Sequence, residues 1–241
     1  MKPMNKSLLI LLVLAPLMLA GCGDDDDQVI RVTYNAIDLG LSVKWADKNI
    51  GAAEDSGYGK LIAWADSTGL HNTQDKIEIS FRPQESGELT ICEWHSAYYG
   101  GVNPLMNISG TDYDPARYIW NTNWCLPTLA QWQELISNCT WSKEEKNGHN
   151  LVRATGPNGN SIVFPLAGYS TAGSVEGANG LGFFWTANLL PKAQQGNYGY
   201  QSNTACCAWA VMFNFSEPSA KPELIPMLRC YTMSVRPVAA K

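Results

Sequence analysis

Cysteine is the residue type best equipped for chemistry in this 241-residue chain, which has seven of them. Cys206 and Cys207 are adjacent and open an apolar run, CAWAVMFNF. A thiol serves as nucleophile or redox centre only as an accessible, stabilised thiolate. No Lys, Arg or His lies within ten residues of the pair, so nothing nearby in sequence lowers its pKa. Adjacent strand residues point to opposite faces, which predicts separate partners for the two. Cys125 and Cys139 bracket a helix signal and read as staples rather than nucleophiles. Cys92 falls in Cys92-Glu93-Trp94-His95, whose Glu/His pair reads as solvated polar residues. No CxxC pair occurs, and His71, His95 and His149 lie far apart, so no metal site is expected. There is no Gly-x-Ser-x-Gly elbow and no HExxH, the usual frames for a serine or zinc hydrolase. The expectation is a protein with no catalytic residues and no cofactor. Cys92, Cys125, Cys139, Cys206, Cys207 and Cys230 are disulfide candidates whose connectivity the sequence leaves open.

The elements that must position these residues are short. Thr128 with Gln131 three residues on has capping-box spacing. Leu129, Trp132, Leu135 and Ile136 then recur at helical period. Asp114-Pro115 predicts a second, two-turn helix ending near Trp120. Strands are predicted at Val29–Tyr34, around Val43 and Trp45, at Tyr58–Asp66, at Phe183–Thr186 and at Cys207–Phe215. The last places Trp209, Val211, Phe213 and Phe215 on one face. Residues 151–169 read as a hairpin about Asn158-Gly159, a strong turn signal, and Cys230–Val238 as a closing strand. Residues 141–150, 170–182, 187–205 and 216–226 read as loops, and 67–110 as an elaborated loop or insertion. Hydrophobic residues make up 45% of the chain and include nine tryptophans, enough for one sizeable core.

The N-terminus reads as an address. Lys2 and Lys6 precede an apolar run, Leu8 to Leu19, which is too short for a confident transmembrane helix and fits a secretory leader. Leu19-Ala20-Gly21-Cys22 resembles the lipobox of bacterial lipoproteins. That implies cleavage after residue 21, lipidation of Cys22 and anchoring to a membrane through several acyl chains, with residues 22–28 as tether. Gly23 and Asp24-Asp25-Asp26-Asp27 resemble the acidic export signal of Bacteroidetes lipoproteins, which implies the outer face of the outer membrane. Of the 17 basic residues two lie in the leader, so 15 face 22 acidic ones, a net charge of −7. With no basic stripe, nucleic acid is not an expected partner. Asp66-Ser67-Thr68 resembles the Bacteroidetes O-glycosylation triplet, which makes Ser67 a candidate acceptor.

Residues 29–241 read as one α+β domain. Ile37-Asp38-Leu39-Gly40-Leu41-Ser42-Val43-Lys44-Trp45-Ala46 and Asn49-Ile50-Gly51-Ala52 carry a family likeness. So do Trp124-Cys125-Leu126-Pro127-Thr128, Glu134–Trp141, Asn158–Ile162, Pro165–Tyr169, Phe184–Thr186 and Ser234-Val235-Arg236-Pro237-Val238. As an ordered set they resemble Bacteroides surface lipoproteins related to the Fibrobacter succinogenes major paralogous domain. The resemblance implies a C-type-lectin-like fold of the formylglycine-generating-enzyme type, with two helices against a twisted antiparallel sheet and long loops on one side. The chain departs from the family at Asp47, where relatives often have cysteine, and at Cys125, where arginine is usual. Residues 67–110 are also longer than the family segment.

The calcium motifs of sugar-binding C-type lectins and the cysteine motif of the formylglycine-generating enzyme are both missing from the sequence. A surface-displayed, non-enzymatic binding module is therefore expected, with a glycan or a host or bacterial protein as ligand. The expected site is the C-terminal loops, 187–205 and 216–228, through Asn188, Gln194, Gln195, Asn197, Tyr198, Tyr200, Gln201 and Asn203. Tyr and Asn give adaptable contacts at low entropic cost. Residues 187–231 also sit at the place of the variable segment in retroelement-diversified receptors, which share the fold that the resemblance implies. Two alternatives stand beside this reading: a structural or tip subunit of a surface fibre, and a thiol oxidase.

Overall fold

The computed structural model describes residues 33–68, 105–171, 174–199 and 206–241. The leader, the acidic tether, Cys22, Cys92, His71, His95, Tyr200, Gln201, Asn203 and most of the 67–110 segment lie outside the described residues.

Both capped helices form where their caps predict. Asp114 caps α1 (Pro115–Ile119), with Pro115 in its first turn. Its carboxylate accepts from Ala116 N and Arg117 N at the helix start, and from Gly110 N and Leu126 N at 2.7 and 2.8 Å. One side chain thus joins three segments. Burial pushes its carboxyl above the usual range, against the four N–H donors that pull it down. Helix α2 (Leu129–Asn138) has the complete capping box between Thr128 and Gln131. Its Trp132 and Leu135 are fully buried and Ile136 half-buried, as the apolar spacing requires.

The α+β expectation fails on the rest of the chain. Strands hold 40% of the described residues and helices 13%, in several sheets with a curled half-barrel and only about three short helices. Two helices against one sheet, the C-type-lectin-like arrangement, is therefore not the architecture. Four strands form one sheet in the order β1 (Ala36–Asp38), β2 (Lys44–Ala46), β14 (Val238–Ala239), β4 (Trp124–Cys125). The largest sheet has seven strands. Its path is β12 (Glu223–Leu228), β11 (Cys207–Asn214), β10 (Leu181–Leu189), β13 (Thr232–Ser234), β8 (Tyr169–Thr171) and β9 (Ser174–Glu176), with β3 (Leu61–Ala63) also on β13. A third sheet is β5 (Thr140–Lys146), β6 (His149–Thr155) and β7 (Ser161–Pro165).

Strands replace expected loops for identifiable reasons. Residues 141–150 are rich in charge, yet Asn147 and Gly148 both take positive φ, 54° and 77°. Two such residues make the tight turn that suits a hairpin, and β5 pairs with β6 from Thr140/Thr155 to Lys146/His149. The charge is used across the ladders, where Arg153 pairs with Glu144 at 2.7 Å. Residues 223–228 pair with β11 as an edge strand. Arg229 N donates to Cys206 O, which fixes the ladder phase and leaves the Pro226 nitrogen facing away from β11. Proline there blunts an edge that would otherwise invite another strand.

The core lies on both faces of β10 and β11. Phe184, Val211 and Phe213 pack on one side with Trp132, Leu135, Val152, Phe164 and Val238. Phe183, Trp185, Ala208 and Ala210 pack on the other with Ile62, Trp64, Ile108 and Met233. Indole N–H groups stitch the layers: Trp64 donates to Thr186 O, Trp185 to Ile62 O and Trp132 to Trp185 O. Arg236 is fully buried between the sheets. It donates to Asn49 Oδ1 at 2.8 Å, Val163 O at 2.8 Å and Ala46 O at 3.2 Å, over the Phe164 ring. Burial lowers its pKa to about 9, opposed by Asp47 and Asp55, so it stays a cation at neutral pH. Replacing Arg236 by alanine removes these bonds and strands three buried acceptors. The expected cost is on the order of 3–5 kcal/mol, seen as a lower urea midpoint for unfolding.

Candidate functional site

The predicted C-terminal loop surface divides on inspection into anchors and exposed groups. Asn188 belongs to β10, and its Oδ1 accepts from Leu129 N at 2.8 Å, so it secures the first turn of α2. Past Leu189 the chain turns at Leu190, whose N–H donates to Cys207 O. It then forms α3 (Lys192–Gln195) and a 3₁₀ turn, Gly196–Tyr198. Gly199 closes the turn at φ 78°, a left-handed conformation that glycine adopts without steric cost.

Gln195 is buried although it sits in a polar loop. Its Oε1 accepts from Cys206 N at 3.0 Å and from Cys206 Sγ at 2.8 Å, which latches α3 to the start of β11. The latch explains why Gln194, Asn197 and Tyr198 face outward while Gln195 does not. Tyr198 is 47% exposed. Its ring stands edge-on to Trp209, with centroids 5.7 Å apart at 84°, within the range of favourable aromatic pairs. Trp209 is half-buried and packs with Leu190, Cys206, Cys207 and Leu228, apart from the core that takes Val211 and Phe213. The sequence placed Trp209 with those core residues by alternation; the shelf it makes under Tyr198 had no sequence signal. Gln194, Asn197, Tyr198 and Trp209 are thus brought to one end of β11. In the second expected loop, 223–228 is strand β12.

Among the described residues, Cys125, Cys139, Cys207 and Cys230 do not act as staples. Cys125 and Cys139 are free thiols on either side of α2, and Cys207 and Cys230 are free thiols near β11. Cys206 and Cys207 do not diverge to opposite faces: their sulfurs are 3.6 Å apart. Cys206 precedes β11, so strand alternation does not govern it. Ser67 is half-buried, and Asp66 beside it is buried and accepts from Thr68 Oγ1 at 2.7 Å. Among the described residues, no group of three or more His, Cys, Asp or Glu side chains is arranged to hold a metal ion. No described helix is long and apolar enough to cross a membrane.

No protein-family model, no curated protein and no solved structure matches the chain. The chemistry of the site therefore rests on its own geometry. One consequence concerns Cys139, whose thiol burial pushes up to about 11, with Glu134 adding to the shift. At pH 8 its thiolate is roughly a hundredfold scarcer than that of an ordinary thiol, so iodoacetamide is expected to label it slowly in the folded chain and quickly in urea. Between about pH 9 and 11 the unfolded state releases this proton and the folded state keeps it. The Cys139 contribution to stability is then lost as pH rises, and a Cys139→Ala variant is expected to lose less stability over that window.

Proposed function

We propose that this protein is a lipid-anchored, surface-displayed binding module without enzymatic activity, and that it takes a glycan on the Tyr198–Trp209 shelf. The observation that carries the reading is Tyr198, a large aromatic side chain left about half exposed while its neighbour Gln195 is pinned inside. Loops on a rigid sheet are the common place for recognition. A ring fixed by an edge contact contributes area at little entropic cost. Exposed Gln194 and Asn197 supply carboxamides that can both donate to and accept from hydroxyl groups. Cys22 and the acidic run supply the anchor and the outward address, and the likeness to Bacteroides surface lipoproteins agrees with both.

Strand exchange in a surface fibre fits less well. The outer edge of β12 lacks a donor at Pro226, which opposes addition of a strand. Thiol oxidase chemistry also fits poorly, because burial and neighbouring groups push Cys125, Cys139 and Cys207 above the usual thiol range. The decisive experiment is a glycan array probed with the full chain in detergent. A hit that weakens at least about tenfold in Tyr198→Ala, and stays unchanged in Tyr118→Ala at another exposed tyrosine, supports the shelf. A hit indifferent to Tyr198→Ala refutes it, and an array with no hit refutes the glycan assignment.

A further inference from the structure

One cation stands at the Tyr198 end of the large sheet. From Gly177 to Ser216 the chain holds a single charged residue, Lys192. It opens α3 and is exposed. Lys192 makes no hydrogen bond or ion pair with the described residues, so its ammonium is open to a ligand. Helix α3 runs into the 3₁₀ turn without a break, because Gln195 and Gly196 at the junction both hold right-handed helical backbone angles. Lys192 and Tyr198 are then each three positions from Gln195, the spacing that puts residues on one side of a helix. Gln195 is buried, so the two exposed side chains flank it. Six positions of such a run span about 10 Å along its axis.

Among the described residues of β11, β12 and their connection, the acids sit at the other end. Cys207 pairs with Leu228 beside the shelf, whereas Glu223 pairs with Met212, roughly 17 Å further along β11. Glu217 follows the same far end of that strand. The whole chain has 22 acidic residues against 17 basic ones. In so acidic a chain, an end with one unpaired cation is where an anion meets attraction instead of repulsion.

We propose that the glycan on the shelf is an acidic one, with a sugar ring against Tyr198 and a carboxylate on Lys192; this assignment holds only if Tyr198 is the sugar-binding residue. The four-carbon stem of lysine carries a point charge that follows a carboxylate on the stacked sugar or on the next one. Gln194 and Asn197, exposed on the same segment, are left for neutral hydroxyl groups. The Lys192 contact stays in water, so its worth is that of an exposed ion pair. It selects among glycans and leaves most of the affinity to the ring contact.

The test uses the full chain in detergent and immobilised uronic-acid hexasaccharides, each paired with the same hexasaccharide after reduction of its carboxylates to alcohols. The expected result is about fivefold tighter binding of the acidic form, as one exposed ion pair implies. That preference should shrink when salt rises from about 0.05 to 0.5 M. Lys192→Gln is expected to bring the preference to parity, and Lys192→Arg to keep it. Equal binding of both forms, a preference that survives Lys192→Gln, or binding of neutral glycans alone overturns the proposal. Tyr198→Ala separates it from the shelf itself. If Tyr198→Ala weakens both forms while Lys192→Gln leaves the preference intact, the shelf stands and the acidic assignment falls. If neither form responds to Tyr198→Ala, the shelf falls and the assignment with it.

Discussion

The buried guanidinium of Arg236 is the constraint on which the rest of the structure depends. A charge removed from water must be met by acceptors or it disrupts the fold. Here the acceptors come from three places in the chain: the end of β2 at Ala46, the turn at Asn49 and strand β7 at Val163. Satisfying one cation therefore sets the first described strands, the β5–β7 sheet and the C-terminal segment against each other. Val238 then falls beside Trp45 and Cys125 in the small sheet. Phe164, which faces the cation, joins the aromatic group of Trp132, Phe184 and Phe213. The polar staple and the apolar core are thus one assembly.

That assembly explains how a loop can present a tyrosine at a fixed angle. Strands β10 and β11 are covered on both faces, so the chain leaving Leu189 and entering at Cys206 is held at both ends. Between those ends, Leu190 bonds to Cys207 O and Gln195 bonds to Cys206. Tyr198 projects from a segment tied at those points, and Trp209 limits where its ring can rest. The described ties are local.

Much of the local structure was legible in the residues. Thr128 and Gln131 announced α2, and Asp114-Pro115 announced α1, because capping involves neighbours only three or four positions away. The Phe184-Trp185-Thr186 and Cys207–Asn214 strands were visible as apolar runs. The loop reading at 141–150 failed, and that at 216–226 held over 216–222 but failed over 223–226, because charge and proline suggested solvent. Asn147-Gly148 carried the correct turn signal, outweighed in the reading by its charged neighbours. Residues 223–228 had no internal signal, since an edge strand is defined by the partner it finds.

By itself, the sequence determined the helix caps, the strongest turns and the burial of the large apolar runs. These depend on short-range geometry and composition. Only the tertiary structure decided the mostly β architecture, the inward turn of Gln195, the contact between two thiols expected to diverge, and the pairing of Tyr198 with Trp209. Each requires residues distant in sequence, or an exception to strand alternation, to meet at hydrogen-bond or van der Waals distance. No local pattern encodes such a meeting, because its energy exists only when the rest of the chain has packed.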